Sequence, residues 1–265
     1  MQRRSVLNAL LTGASTLVLP LSASAQVISI NDAINKAGRQ RMLSQRAAKS
    51  YMALGQGVLP DAASKTMAAS IALFDRQLVE LKAFSPTPDI KTTYNELEAA
   101  WSEYKTALIG NAPDKTGTAN VILMSGKVLK LANQGTVQLD GVSGKPTGHL
   151  VNVAGRQRML SQRMAAFYLA ASWGVQSTAS EAEVTKARDE FVKAHALLST
   201  APEATVAIKA DLEQVGSQFV FFEAALRNLK SGTGDIQAQA NVFTTSERIL
   251  QVMNNVTGLY EKIST

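Results

Sequence analysis

The ten-residue sequence AGRQRMLSQR occurs twice in this chain, at residues 37–46 and again at residues 154–163. The two copies are identical and lie 117 positions apart, whereas the sequence around them has diverged. A repeat at a fixed spacing indicates an internal duplication. Each copy carries three arginines and no acidic residue. We therefore expect the function of the protein to involve these two segments.

The duplication extends beyond these ten residues and predicts two copies of one domain. Tyr51 matches Tyr168, and Phe74 matches Phe191, at the same spacing of 117. Later matches fall at a spacing of 121: Ser125 with Ser246, Leu129 with Leu250, Asn133 with Asn254 and Thr136 with Thr257. The second copy therefore carries an insertion between Phe191 and its last helix.

The remaining sequence is typical of helices, because apolar residues recur at intervals of three and four and prolines and glycines cluster at breaks. We predict helices at 29–55, 61–84, 88–109, 115–140, 149–174, 178–199, 202–230 and 234–263. Thr87 and Asp114 are suited to be N-caps. Four helices per copy favour an up-down bundle. The predicted fold is all-α, with two tandem up-down four-helix bundles related by a pseudo-two-fold axis.

The first 25 residues have the pattern of a secretory signal peptide, which predicts a soluble periplasmic protein. Arg3 and Arg4 precede an apolar stretch at 6–21, and Ala23 and Ala25 form an A-x-A cleavage site. The arginine pair also loosely matches a twin-arginine signal, so both export routes remain open. An uncleaved anchor is a competing interpretation, but Gly and Pro residues interrupt a run that is short for a membrane span.

Composition excludes several classes of site. The chain has no cysteine, so disulfides and thiolate metal sites are excluded. A net charge of +6 is modest for 265 residues and argues against nucleic-acid binding. The two histidines, His149 and His195, have no metal-ligand spacing, and no nucleophile motif or phosphate loop is present. We expect no enzyme activity, no cofactor and no metal.

The segment between the copies indicates how they meet. We assign 26–140 to the first copy, 141–148 to a polar, glycine-rich linker and 149–265 to the second copy. In an up-down bundle the fourth helix ends beside the start of the first. The second copy can therefore place its first helix beside, and parallel to, the first helix of the first copy. The two arginine blocks would then face each other as they would in a symmetric dimer.

One face of each first helix carries a recurring set of residues. At 100° per residue, one stripe contains Asn35, Gly38, Arg41, Met42 and Gln45, and its counterpart contains Asn152, Gly155, Arg158, Met159 and Gln162. A glycine within a helix costs about 1 kcal/mol relative to alanine, and its usual reason is the close approach of a backbone or ligand. We predict a small gap flanked by two guanidinium groups.

The expected ligand in that gap is a small anion such as nitrate, a carboxylate or bicarbonate. Guanidinium presents a rigid fork of donors that fits planar oxyanions. Two like charges are expensive to bury unless something negative lies between them. Residues 29–57 contain a single acidic residue, Asp32, and 148–174 contain none. An alternative stays open, in which the arginines bind carboxylates of neighbouring helices such as Asp75, Glu80 or Glu247, or lie solvated.

Residues 35–46 and 152–163 together resemble the signature of the PilJ-type domain, the N-terminal sensory domain of the type IV pilus chemotaxis transducer. They are more distantly similar to the nitrate and nitrite sensor kinases of the NarX and NarQ type. The resemblance implies a four-helix bundle that dimerises and holds one nitrate between paired first helices. The implied ligand residues are Gly38, Arg41, Gly155 and Arg158, with Asn35, Gln45, Asn152 and Gln162 as possible second contacts.

Two departures from the family pattern affect this expectation. Arg39 and Arg156 stand where the kinases have a small polar residue, which leaves the identity of the anion open. Arg46 and Arg163 match a later family arginine that we expect to be structural. Family members usually carry a membrane span and a signalling module after this domain, whereas for a chain that ends at Thr265 we expect ligand binding without transmission across a membrane.

The expected function is therefore that of a periplasmic sensory protein that binds a small oxyanion, nitrate or nitrite, and hands the signal to a membrane receptor. The alternative is a helical protein-interaction module of the cell envelope, associated with a pilus or chemoreceptor, in which the arginine blocks form a structural seam. The aromatic residues Trp101, Tyr104, Trp173, Phe219 and Phe222 are expected to pack in the core. Phe221 belongs to the same aromatic group as Phe219 and Phe222. One ring of this group, which the sequence does not specify, is a candidate for contact with a binding partner.

Overall fold

The computed structural model describes residues 26–227, 229, 232 and 234–263. These residues form helices and connecting segments, with no strand among them. The helices are α1 (Ile30–Gly55), α2 (Pro60–Phe84), α3 (Pro88–Ile109), α4 (Lys115–Ser143), α5 (Pro146–Ser172), α6 (Ser177–Thr200), α7 (Val206–Arg227) and α8 (Ile236–Glu261). The predicted all-α fold is confirmed. The signal peptide predicted at 1–25 lies outside the described residues.

The helix ends follow from local chemistry that the sequence displays. Thr87 accepts a hydrogen bond from the backbone N–H of Ile90, and Asp114 accepts one from that of Gly117, so both predicted N-caps are confirmed. Ser29 caps α1 in the same way. The clearest difference is at α7, which begins at Val206 rather than at 202.

The predicted linker at 141–148 is wrong in extent. Helix α4 continues to Ser143 and α5 begins at Pro146, so two residues, Gly144 and Lys145, join the copies. Gly144 adopts a φ of +60°, which ends α4 in the left-handed conformation that glycine accepts readily. Pro146 then starts α5 at a position where its missing N–H is not needed. The glycine-rich composition therefore belongs to a tight turn between two helices rather than to an extended linker.

Each copy encloses an equivalent aromatic core. The ring of Trp101 on α3 stacks on Phe74 of α2 at 3.7 Å between centroids. The ring of Phe219 on α7 stacks on Phe191 of α6 at 4.4 Å. Both pairs are buried, which confirms the core interpretation for these residues. Phe221, in contrast, is 69% exposed.

The copies meet through α1 and α5, which make the most extensive contact among the described helices. The two helices are parallel and in register, because equivalent positions face each other along their length. Gly38 faces Gly155 near the middle. Near the carboxyl ends, the side-chain amide of Gln56 donates to the carbonyl of Leu169 at 3.0 Å. Each bundle thus presents its first helix to the other, as a symmetric dimer would.

None of the described helices combines the length and the apolar character needed to cross a membrane.

Candidate functional site

The centre of the α1–α5 contact is a glycine crossing. A Cβ added to Gly38 would lie 3.6 Å from the Cα of Gly155, and a Cβ added to Gly155 would lie 3.6 Å from the Cα of Gly38. A distance of 3.6 Å is an ordinary van der Waals contact, so the facing backbone alone would admit a Cβ at either position. The physical reason for the two glycines lies in the guanidinium groups beside them.

The guanidinium groups of Arg41 and Arg158 converge on this crossing. The terminal nitrogen Nη2 of Arg41 lies 3.2 Å, and that of Arg158 lies 3.5 Å, from the position of a Cβ on Gly38. The corresponding distances at Gly155 are 3.4 Å and 3.2 Å. Sequence reasoning predicted a gap between the two groups. In the structure the guanidinium groups themselves lie over the glycines, in the space that the missing side chains leave.

Arg41 is held by one contact within its own bundle and one across the interface. Its Nη1 donates to Oδ1 of Asn133 on α4 at 3.0 Å. Its Nη2 donates to the backbone carbonyl of Asn152 on α5 at 3.0 Å. Both acceptors are neutral groups, so the hydrogen bonds leave the positive charge uncompensated.

Arg158 repeats this arrangement in the second bundle. Its Nη1 donates to Oδ1 of Asn254 on α8 at 3.2 Å, and its Nη2 donates to the carbonyl of Asn35 on α1 at 3.2 Å. The Nε atoms of Arg41 and Arg158 are buried and have no hydrogen-bond partner among the described residues. Each guanidinium therefore retains an unused donor.

The two arginines form a buried pair of like charges. Arg41 and Arg158 are 1% and 0% exposed, and neither makes an ion pair with a carboxylate in the described part of the chain. Burial, aided by the charge of Arg156, lowers the pKa of Arg41 to about 9. Burial and the nearby charges of Arg39 and Arg41 lower the pKa of Arg158 well below its usual value. Arg41 therefore remains charged at neutral pH.

Two carboxylates that bind the predicted asparagines also act on the charges of the pair from a distance. The charge of Asp140 acts to raise the pKa of Arg41, and that of Glu261 acts to raise the pKa of Arg158. The side chain of Asn152 donates to Asp140 at 2.9 Å, and that of Asn35 donates to Glu261. The carbonyls of these same asparagines accept from the guanidinium groups. The structure thus brings Asn35 and Asn152 to the site through their backbones.

A comparison with protein-family models identifies the family of both bundles. A family model described as "Type IV pili methyl-accepting chemotaxis transducer N-term", the PilJ family, matches residues 23–124 and 143–257. The chain belongs to the PilJ family. Because the two matched segments correspond to the two bundles, the predicted tandem PilJ copies are confirmed. PilJ is a family of sensory and signalling domains, which is compatible with a protein that is not an enzyme. No curated protein and no solved structure matches the chain.

The two glutamines predicted as second contacts do not reach the arginine pair in either PilJ copy. Gln45 accepts a hydrogen bond from Nη1 of Arg163 at 3.1 Å. Gln162 donates to the carbonyl of Ser246 on α8 at 3.0 Å. Both glutamines support the packing of the helices around the site.

Three of the other arginines of the PilJ signature follow the alternative in which carboxylates of neighbouring helices neutralise them, whereas Arg39 forms no ion pair with a described residue. Arg46 pairs with Glu247, as that alternative anticipated, although Arg41 does not. Arg163 pairs with Glu183, and Arg156 pairs with Glu190. The remaining proposed partners are engaged elsewhere: Asp75 by Lys105 and Glu80 by Lys36.

Sequence reasoning missed the buried Lys49 beside this ion pair. Its ammonium contacts Glu247 at 2.6 Å and Ser246 at 3.0 Å, and lies 4.1 Å above the ring of Phe243. Burial lowers the pKa of Lys49 to about 8. Although burial acts to raise it, the charges of Lys49 and Arg46 lower the pKa of Glu247 to about 2. The position of Lys49 one helical turn after Arg46 was the available signal.

The described residues contain no group of three or more histidine, cysteine or acidic side chains placed to hold a metal ion. His149 is exposed and lies 3.3 Å from Asp140. His195 lies beside Phe191, and burial lowers the pKa of its imidazole.

Proposed function

We propose that this PilJ protein is a periplasmic sensory module that passes a signal to a membrane receptor or another signalling partner. The family match supports this role, because its description names a chemotaxis transducer. The parallel α1–α5 pair supports it further, since this pair places within one chain the two equivalent surfaces that a symmetric dimer would bring together.

We further propose that the ligand is a small oxyanion, with nitrate or nitrite as the best candidates, bound at Arg41 and Arg158. One observation carries this proposal: two converging, buried guanidinium groups have only neutral acceptors. An uncompensated buried charge is costly, and an anion between two such groups offsets that cost. The anion would take up donors such as the two free Nε atoms, and the guanidinium groups would shift away from the glycines to admit it.

A specific observation favours a second candidate function. In it, the contact between α1 and α5 around Arg41 and Arg158, which we call the seam, is structural, and the exposed helical faces bind a pilus or chemoreceptor component. Nη2 of each arginine already joins the two bundles by donating to a backbone carbonyl of the facing helix. The family description also names type IV pili and a chemotaxis transducer but no ligand, so it supports this candidate more directly than it supports anion binding.

Replacing both arginines separates the two candidates. The variant Arg41→Met/Arg158→Met retains most of the apolar stem and removes the charge. Arg76→Met is a matched control, because the Arg76 side chain is 65% exposed and lies away from the seam. The measurement is the free energy of unfolding by urea, in chloride-free buffer, with and without nitrate.

The anion proposal predicts that nitrate at 100 times its dissociation constant stabilises the wild type by about 2.7 kcal/mol, and the control equally. The double variant should show no response. Its anion-free stability should equal or exceed that of the wild type, because replacing buried charges by apolar groups is commonly neutral or stabilising by about 1–4 kcal/mol. A structural seam predicts a loss of several kcal/mol in the double variant, of equal size with and without nitrate.

A further inference from the structure

Two equivalent grooves flank the seam. Among their differences is the residue that faces the arginine from α2 or α6. The first, which we call the Arg39 groove, lies between α1, α2 and α8 and has a volume of about 610 Å³. The second, the Arg156 groove, lies between α5, α6 and α4 and has a volume of about 250 Å³. Arg39 and Arg156 are equivalent residues of the two copies. The duplication therefore supplies an internal comparison.

In the Arg156 groove the arginine binds a carboxylate of its own chain. Nε and Nη2 of Arg156 donate to Oε2 of Glu190 on α6 at 3.2 Å and 2.6 Å. Nη1 donates to Oδ1 of Asn133 at 3.3 Å. An arginine at this place in the fold is thus oriented to take a carboxylate through two of its nitrogens.

In the Arg39 groove that carboxylate is missing. The residue of α2 equivalent to Glu190 is Leu73, which lines the groove. Arg39 is half-buried and makes no hydrogen bond or ion pair with any described residue. The carboxylates of Glu261, Asp32 and Glu80 act on its charge only from a distance. Arg248, exposed at the same groove, is likewise without such a partner in the described part of the chain. Glu247 also lines the groove, but it is bound by Arg46 and Lys49.

Part of the remaining lining is apolar, and Arg46, Thr244, Gln251 and Asn254 supply polar groups. The groove walls include Met42, Leu43, Leu73 and Leu250. Ligand pockets typically enclose roughly 300–1,000 Å³, with mostly apolar walls and a few polar groups that fix orientation. The Arg39 groove has this size, and its walls combine apolar with polar side chains. An inorganic anion would leave most of such a groove unfilled, whereas an organic acid would use both the arginine and the apolar walls.

We infer that the Arg39 groove binds a small organic carboxylate with an apolar body. Arg39 takes the carboxylate as Arg156 takes Glu190, and Met42, Leu73 and Leu250 contact the body. This inference does not depend on anion binding at Arg41 and Arg158, because it rests on different side chains and a different cavity.

The test uses benzoate as the probe and titration calorimetry of the full chain as the measurement. Leu73→Glu should supply an internal carboxylate to Arg39, and it should weaken benzoate binding by about tenfold or more. The same variant should raise the melting temperature by about 2–4 °C, which also shows that it folds. Glu190→Leu is the reciprocal change, and it should convert one benzoate site per chain into two. Benzamide, which is uncharged, should bind at least about tenfold more weakly than benzoate.

The inference is overturned if benzoate does not bind at millimolar concentration, if it binds equally to the wild type and Leu73→Glu, or if benzoate and benzamide bind equally. Arg41→Met separates this test from that of the proposed function. It should remove the response to nitrate and leave benzoate binding intact. Loss of benzoate binding in Arg41→Met, with binding retained in Arg39→Met, would place the probe at the seam and contradict the inference.

Discussion

The glycine crossing predicts that two formally similar glycine substitutions have opposite effects. Gly126 lies within α4, and a Cβ there would meet nothing within 4 Å. Gly126→Ala should therefore stabilise the protein by about 0.5–1 kcal/mol, the ordinary gain of alanine over glycine in a helix. Gly126→Ala serves as the matched control.

Gly38→Ala has the same gain in helix propensity, but its added methyl group would lie in the contact between α1 and α5. Its Cβ would lie 3.2 Å from Nη2 of Arg41 and 3.6 Å from the Cα of Gly155. The guanidinium would have to move by a few tenths of an ångström, and it is buried and held by two hydrogen bonds. Overpacking of this kind costs about 1–3 kcal/mol. We expect a net loss of about 0–2 kcal/mol relative to the wild type, and a larger loss when Gly155→Ala is added.

Urea unfolding measures this difference directly through the transition midpoint at unchanged slope. The two single variants should differ by about 1–3 kcal/mol, with Gly38→Ala the less stable. If Gly38→Ala stabilises the protein as much as Gly126→Ala does, the Arg41 guanidinium does not occupy the space over Gly38, and the described arrangement of the arginine pair is wrong.

Two further substitutions test the contacts around the seam. Glu247→Gln should cost about 3 kcal/mol at pH 7, because it leaves the buried Lys49 without its counter-charge. The folded-state pKa of Glu247, about 2, lies below its usual value of 4.5. Its contribution is therefore complete above pH 4.5 and lost as the pH falls towards 2, so acid titration of stability should be flatter in Glu247→Gln. Gly55→Ala would place a Cβ 2.1 Å from the Trp173 ring and should destabilise by about 1–3 kcal/mol. Thermal unfolding should show rescue by Trp173→Leu, and equal losses with and without that change would contradict the contact.

The helices and their pairing were largely predictable from the sequence, because both depend on local and repeated signals. Apolar spacing and the caps at Thr87 and Asp114 fixed the elements, and the duplication indicated that the equivalent helices pair. The α4–α5 connection was not predictable in detail. A glycine-rich stretch is compatible both with an extended linker and with a helix that ends at one left-handed glycine, and Gly144 adopts the second conformation.

The sequence predicted which helix positions lie at the site, but it predicted less well how their side chains are arranged. The spacing of Gly38 and Arg41 on one face of α1 placed them at the interface, where the structure has them. It could not show that the guanidinium groups cover the glycines, because the acceptors that position them are backbone carbonyls of the facing helix. It also could not show which arginines find carboxylates, since this depends on side-chain packing between helices far apart in sequence.

Titration calorimetry with nitrate is the sharpest test of whether Arg41 and Arg158 hold one anion between them. We expect one nitrate to bind per chain. Either Arg41→Met or Arg158→Met alone should abolish it, because each supplies half of one site. Undiminished nitrate binding in both single variants, or no binding by the wild-type protein, would contradict the claim.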